Sequence, residues 1–191
     1  MANIYSVTEK INGKEYTAQF NGISAAEDAI DLCGVDDPTS NAISNEKLAD
    51  YLFENVIMSP NVRIEDFGAE KIGKKEEKTI GGVKYVAEFK GLRTALRVQD
   101  NSYKEGTTKL SQKKYAKNLF DKVIVSPENL TSDDFECMDD YNAVIAFARD
   151  VMQGGEVLEE FNEIITFARK VMQGDFRNKV NGKSAKDESK S

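Results

Sequence analysis

The chain has no histidine and no tryptophan, and only two cysteines and three prolines among its 191 residues. Lacking histidine, it lacks the commonest general base, the Ser-His and Cys-His nucleophile pairs, and imidazole metal ligands. Cys33 and Cys137 lie far apart and form no CxxC pair. A disulfide framework is therefore not expected, a reducing compartment fits, and both thiols are expected to be buried packing residues. No stretch approaches the roughly 18 apolar residues of a membrane helix. The opening Met-Ala-Asn-Ile-Tyr-Ser has no basic region leading into an apolar run, so no signal peptide is expected. Neither GxGxxG nor GxxxxGK[ST] occurs. The nearest approach to a calcium loop, Asp100–Gly106, has Lys104 at a ligand position and its glycine misplaced.

The balance of charge is negative, with 26 basic and 33 acidic residues and a formal net charge of −7. That argues against general nucleic-acid binding, which needs clustered Lys and Arg against phosphate. Acidic pairs are frequent: Asp36-Asp37, Glu65-Asp66, Asp133-Asp134, Asp139-Asp140 and Glu159-Glu160. They read as solvated faces and helix N-termini, where carboxylates favour the macrodipole. The sequence therefore points to no catalytic residue, no metal site and no cofactor.

Repetition is the strongest feature. Ile11–Gly22 matches Ile80–Gly91 at an offset of 69, with Ile, Gly, Tyr, Ala, Phe and Gly in register. Leu52–Pro60 matches Leu119–Pro127 at an offset of 67, and Glu65-Asp66-Phe67 matches Asp133-Asp134-Phe135. Asn12-Gly13 and Gly81-Gly82 are two-residue hairpin signals, since both turn positions need positive φ. Tyr16, Ala18 and Phe20, and likewise Tyr85, Ala87 and Phe89, alternate as strands do. A helix is expected near Ser24–Leu32, with a fainter counterpart near Leu92–Val98. A second helix is expected over Asn45–Met58 and Ser111–Val125, ended by the Ser-Pro steps.

A shorter repeat lies beyond these. Tyr141–Gly154 matches Phe161–Gly174 at an offset of 20, with nine of fourteen positions identical. Each unit is an amphipathic helix stopped by glycine at C′. The fold class that follows is α+β: a duplicated β-hairpin-plus-helices module followed by two C-terminal amphipathic helices. The expected divisions are residues 1–67 for the first copy, 68–79 for a polar linker or long loop, and 80–136 for the second copy. Tandem helices follow at 139–176, and a disordered tail at 177–191.

The tandem helices admit two readings. Met, Phe and Val at helical spacing form core when the helices pack on each other or on the modules. Alternatively they present adaptable apolar faces to a partner. The partner-binding candidates are Phe147, Val151 and Met152 in the first unit, and Phe167, Val171, Met172 and Phe176 in the second.

A hairpin of the form Asn-Gly-Lys-x-Tyr-x-x-x-Phe and a final helix ending Phe-Ala-Arg-x-Val-Met-Gln-Gly-x-Phe-Arg carry a resemblance, best over Glu160–Arg177. The chain resembles the tail assembly chaperones of long-tailed phages and prophages of Gram-positive bacteria. The resemblance implies a non-enzymatic protein of the bacterial host cytoplasm. It would coat the tape-measure protein during assembly, help recruit the major tail protein, and be absent from the finished virion. It also implies that a frameshifted long form can exist. The duplicated module and the doubled terminal helix depart from a simple member. Self-association into a homo-oligomer is compatible with this reading. A structural tail or connector subunit, and a carboxylate-based enzyme, are the competing expectations.

Overall fold

The computed structural model describes residues 4–176. Along the chain run β1 (Tyr5–Ile11), β2 (Lys14–Phe20), α1 (Ile23–Leu32), α2 (Asn45–Asn55) and β3 (Ile57–Ser59). Two 3-10 turns, Ile64–Asp66 and Ala69–Lys71, lead into β4 (Lys75–Ile80), β5 (Val83–Glu88), α3 (Leu92–Asp100), α4 (Gln112–Lys122) and β6 (Ile124–Ser126). A third 3-10 turn, Ser132–Asp134, precedes α5 (Met138–Gln153) and α6 (Glu156–Met172). The class is mixed α+β, as expected, with two three-stranded antiparallel sheets and the C-terminal helices. Among the described residues no helix is long and apolar enough to cross a membrane.

The chain divides into two compact units. Unit 1 gathers the described residues of Met1–Cys33, Lys47–Arg63 and Glu160–Ser191; unit 2 gathers Gly34–Glu46 and Ile64–Glu159.

In unit 1 the hairpin β1–β2 runs in register from Tyr5↔Phe20 to Ile11↔Lys14, with β3 on the other side of β2. Its turn has Asn12 at φ 48° and Gly13 at φ 83°, the doubly positive geometry that matches strand twist. Tyr16, Ala18 and Phe20 point inward and are buried with Leu48, Ala49, Leu52 and Phe53 of α2.

Unit 2 repeats the plan. The hairpin β4–β5 turns at Gly81 (φ 55°) and Gly82 (φ 79°), and β6 joins β5. The repetition extends to irregularities. Both third strands attach across a bulge, between Thr17 and Ala18 in one sheet and Val86 and Ala87 in the other. Gln19 N donates to Val56 O at 2.8 Å, and Glu88 N donates to Val123 O at 3.0 Å. Ser59-Pro60 and Ser126-Pro127 are both cis.

Three expectations need correction. Residues 68–79 are not a linker throughout, because Lys75–Ile80 is strand β4. Its side chains are exposed except Ile80, so an edge strand with both faces wet shows no apolar alternation. The charges pair across the ladder instead, Lys84 with Glu77 at 2.7 Å and Lys75 with Glu88 at 3.9 Å. The helices expected to reach Met58 and Val125 stop at Asn55 and Lys122, and the three residues before each proline, led by Ile57 and Ile124, form β3 and β6. Cys33 is buried as expected, whereas Cys137 is exposed just before α5. The tail expected over 177–191 lies outside the described residues.

Candidate functional site

The two terminal helices are closing elements of the modules, and the geometry is the same twice over. In unit 2, α5 packs against β4, β5, α3 and α4. In unit 1, α6 lies against the first hairpin and α2. Phe161 meets Phe53 edge to face, with ring centroids 5.9 Å apart and planes at 80°. Twenty residues earlier, Tyr141 meets Phe120 at 6.0 Å and 81°. Each helix also touches the turn of its hairpin: Asn12 Nδ2 donates to Glu163 Oε2 at 3.1 Å, in the middle of α6, and Asp140, in the first turn of α5, abuts Gly81. Burial raises the phenols of Tyr16 and Tyr85 above their ordinary range, with Glu160 adding to the first and Asp140 to the second.

The C-terminal ends match as well. Gly154 and Gly174 hold φ of 64° and 81°, the left-handed cap that ends a helix. A Cβ at Gly154 would lie 2.7 Å from the Phe89 ring, and one at Gly174 would lie 3.4 Å from Phe20. Phe89 and Phe20 are themselves equivalent residues of the two hairpins. The second repeat is therefore part of the first: each copy is a hairpin, two helices, a short strand and a closing helix. The order is nested, because the first copy is closed by the last helix.

This placement turns the apolar stripes inward in the folded chain. Phe147, Val151 and Met152 are buried on α5, and Phe167, Val171 and Met172 on α6, with Phe176 beyond it. Phe167 and Phe176 also stack edge to face at 5.9 Å. None of the seven is presented at the surface, so a partner reaches them only when a closing helix is lifted. The periodicity identified a face that must be covered; it carried no information on what covers it.

Other features offer little chemistry. An open depression of about 310 Å³ is lined by Ser132, Phe135, Glu136, Cys137, Met138 and Tyr141. It places an exposed thiol beside a carboxylate, and Met138 is 67% exposed. Of the acidic pairs, Asp37 is held below the ordinary carboxylate range by hydrogen bonds from the Thr39 hydroxyl and from the Gly106 and Thr39 amides. Asp134 is lowered by the Thr131 amide and hydroxyl, in a capping box. Both are loop and turn fasteners. Among the described residues no group of three or more His, Cys, Asp or Glu is placed to hold a metal ion.

The sequence also missed a polar junction in unit 2. Asp100 accepts from Ser44 Oγ at 2.7 Å, from Asn45 N at 2.8 Å and Nδ2 at 2.9 Å, and from Glu46 N at 3.0 Å. Glu46 pairs with Arg93 and Arg97, each at 2.8 Å. Burial works to raise the Glu46 carboxyl, but the two guanidinium groups outweigh it and leave it lowered.

No protein-family model matches the chain, and no curated protein or solved structure matches it.

Proposed function

We propose that the chain is a non-enzymatic chaperone of phage tail assembly that holds the tape-measure protein by its amphipathic helices. The observation that carries this reading is the repeated seat for a helix. One helical pattern, Phe-Ala-Arg-x-Val-Met-Gln-Gly, closes two separate hairpin modules through equivalent contacts. A groove that accepts such a helix from its own chain offers the same apolar surface to a client helix with residues at i, i+3, i+4 and i+7.

Binding by displacement sets the strength. A tethered closing helix competes at an effective concentration in the millimolar range, so a client helix is held weakly and released readily. A chaperone that leaves its client before the particle is complete needs that weakness. Two seats in one chain recover affinity through multivalency. The displaced helix would expose Phe147, Val151 and Met152, or Phe167, Val171, Met172 and Phe176, to the client or to the major tail protein. The net negative charge keeps the opened form dispersed.

The test is co-expression of the full chain with a tape-measure protein. The expected result is a soluble complex in which hydrogen exchange over α5 or α6 rises. Failure to co-purify, with no gain in client solubility, would reject the reading. The reading of a structural subunit assembling strand to strand is less well supported, because the alternating charges of β4 blunt that edge. Mass spectrometry of purified virions separates the two, since a chaperone should be absent.

A further inference from the structure

Unit 2 contains a docking contact for which the duplication provides a second set of parts. The contact joins the N-terminus of α2 to α3. Asp100, at the end of α3, accepts hydrogen bonds from Ser44, Asn45 and Glu46, and Glu46 takes Arg93 and Arg97. The 3-10 turn Ile64–Asp66 packs on the same helix, with Ile64 fully buried and Glu65 receiving Arg93. Leu92, the first residue of α3, is 1% exposed.

By the repeat offsets, α1 is the counterpart of α3 and the N-terminus of α4 is the counterpart of that of α2. Asp31 stands where Asp100 stands, and Ser111 where Ser44 stands. The ion pair is reversed at both ends: Lys113 replaces Glu46, and Asp28 replaces Arg97. A sign change at one end alone would produce repulsion; a change at both ends preserves attraction. Ser111 is half-buried and its hydroxyl accepts from Lys114 N in its own helix, but the charged counterparts lie open. Asp28, Asp31 and Lys113 are exposed. Ile23, the equivalent of buried Leu92, is 59% exposed, with Ile30 and Leu32 exposed on the same helix.

We propose that the occupant of α1 is a second copy of this chain. The Ser111–Lys113 end of α4 in one copy docks on the Ile23–Leu32 helix of the next, repeating the contact that Ser44–Glu46 makes with α3. Asp31 caps the incoming helix, Lys113 pairs with Asp28, and Ile23 is covered. Such a contact uses different surfaces on its two sides. Each added copy therefore leaves one α1 and one α4 face unsatisfied, and growth continues into a ring or an open filament. Ser24 in place of Arg93 and Ser132 in place of Ile64 remove part of the ionic and apolar contact, which makes this association weaker than its intrachain model and reversible. It is independent of the client reading above.

The test is sedimentation velocity of the full chain across a concentration series, at low and high salt. The expected result is a mass that rises past the dimer with concentration and falls as salt screens the pair. Asp28→Lys and Lys113→Glu each weaken association by about tenfold or more, as like charges brought together do. The double variant recovers it, because the pair is restored in the opposite sense. Ile23→Glu, checked for native circular dichroism, weakens it through the apolar contact. A chain that stays monomeric throughout, a dimer that stops at two, or self-association indifferent to both charge reversals would overturn the proposal.

Discussion

The Phe161 ring meets the Phe53 ring edge to face at 5.9 Å, joining the last helix to a module that begins at Tyr5. Both rings are buried. Removing one leaves a cavity in a close-packed core. Phe161→Ala is expected to cost about 3 to 5 kcal/mol in denaturant unfolding. A double-mutant cycle with Phe53→Ala should retain a coupling of about 1 kcal/mol from the ring–ring geometry. Additive losses would show that the two rings only share a solvent boundary.

Gly154 and Gly155 make a paired test of helix termination. Both hold positive φ, at 64° and 67°, but a side chain at Gly154 would press on Phe89 while one at Gly155 meets open space. Gly155→Ala should therefore cost only the left-handed backbone strain, about 1 kcal/mol. Gly154→Ala should cost more, by about another 1 to 3 kcal/mol of overpacking. Thermal melts of the two variants measure the difference directly, and equal losses would remove Phe89 from the account.

Asp100 caps a helix that is not its own. Asp100→Ala leaves the amides of Asn45 and Glu46 without their acceptor, at an expected cost of about 1 to 2 kcal/mol. Hydrogen exchange should localise the effect, with Asn45 and Glu46 losing protection while the amides of β5 keep theirs. Uniform loss of protection would indicate a wider role for the carboxylate.

Acid should weaken unit 2 in particular. The carboxyls of Glu46, Asp37 and Asp134 are all lowered in the folded chain, and all are held by contacts within that unit. A lowered carboxylate contributes stability that is present above its unfolded pKa, about 4, and is lost as pH falls through the folded value. Urea midpoints should thus hold steady from pH 7 to about 5 and decline below it. Glu46→Gln should flatten the decline. A midpoint that rises on acidification would reverse the assignment.

Much of the architecture could be read from residue order, and the failures have physical causes. Asn12-Gly13 announced its hairpin because few sequences tolerate two positive φ values in succession. The strand opposite β5 was hidden because Lys75–Lys78 lie on an edge with water on both faces, and such a strand has no apolar face to display. Val56-Ile57 and Val123-Ile124 continued a helical stripe and so masked the switch to extended backbone. The destination of α5 and α6 was illegible for a different reason. A stripe such as Val144, Ala148 and Val151 states that a face is covered, and only tertiary contacts such as that of Tyr141 with Phe120 state by what. Asp100 opens the run that only approaches a calcium loop, and its place at a helix end suits it to accept amide hydrogens instead.

The nested order of the modules has a consequence for synthesis. Unit 2 runs without further additions to Glu159, in the first turns of α6. Unit 1 opens at the first hairpin but draws its closing helix from Glu160 onward. A chain emerging from the ribosome can complete the inner unit while the outer one still has its Phe20 and Phe53 side without a cover. Its contacts are among the most distant in the sequence, and such contacts form slowly. The half of the molecule that is made first is the half that is finished last.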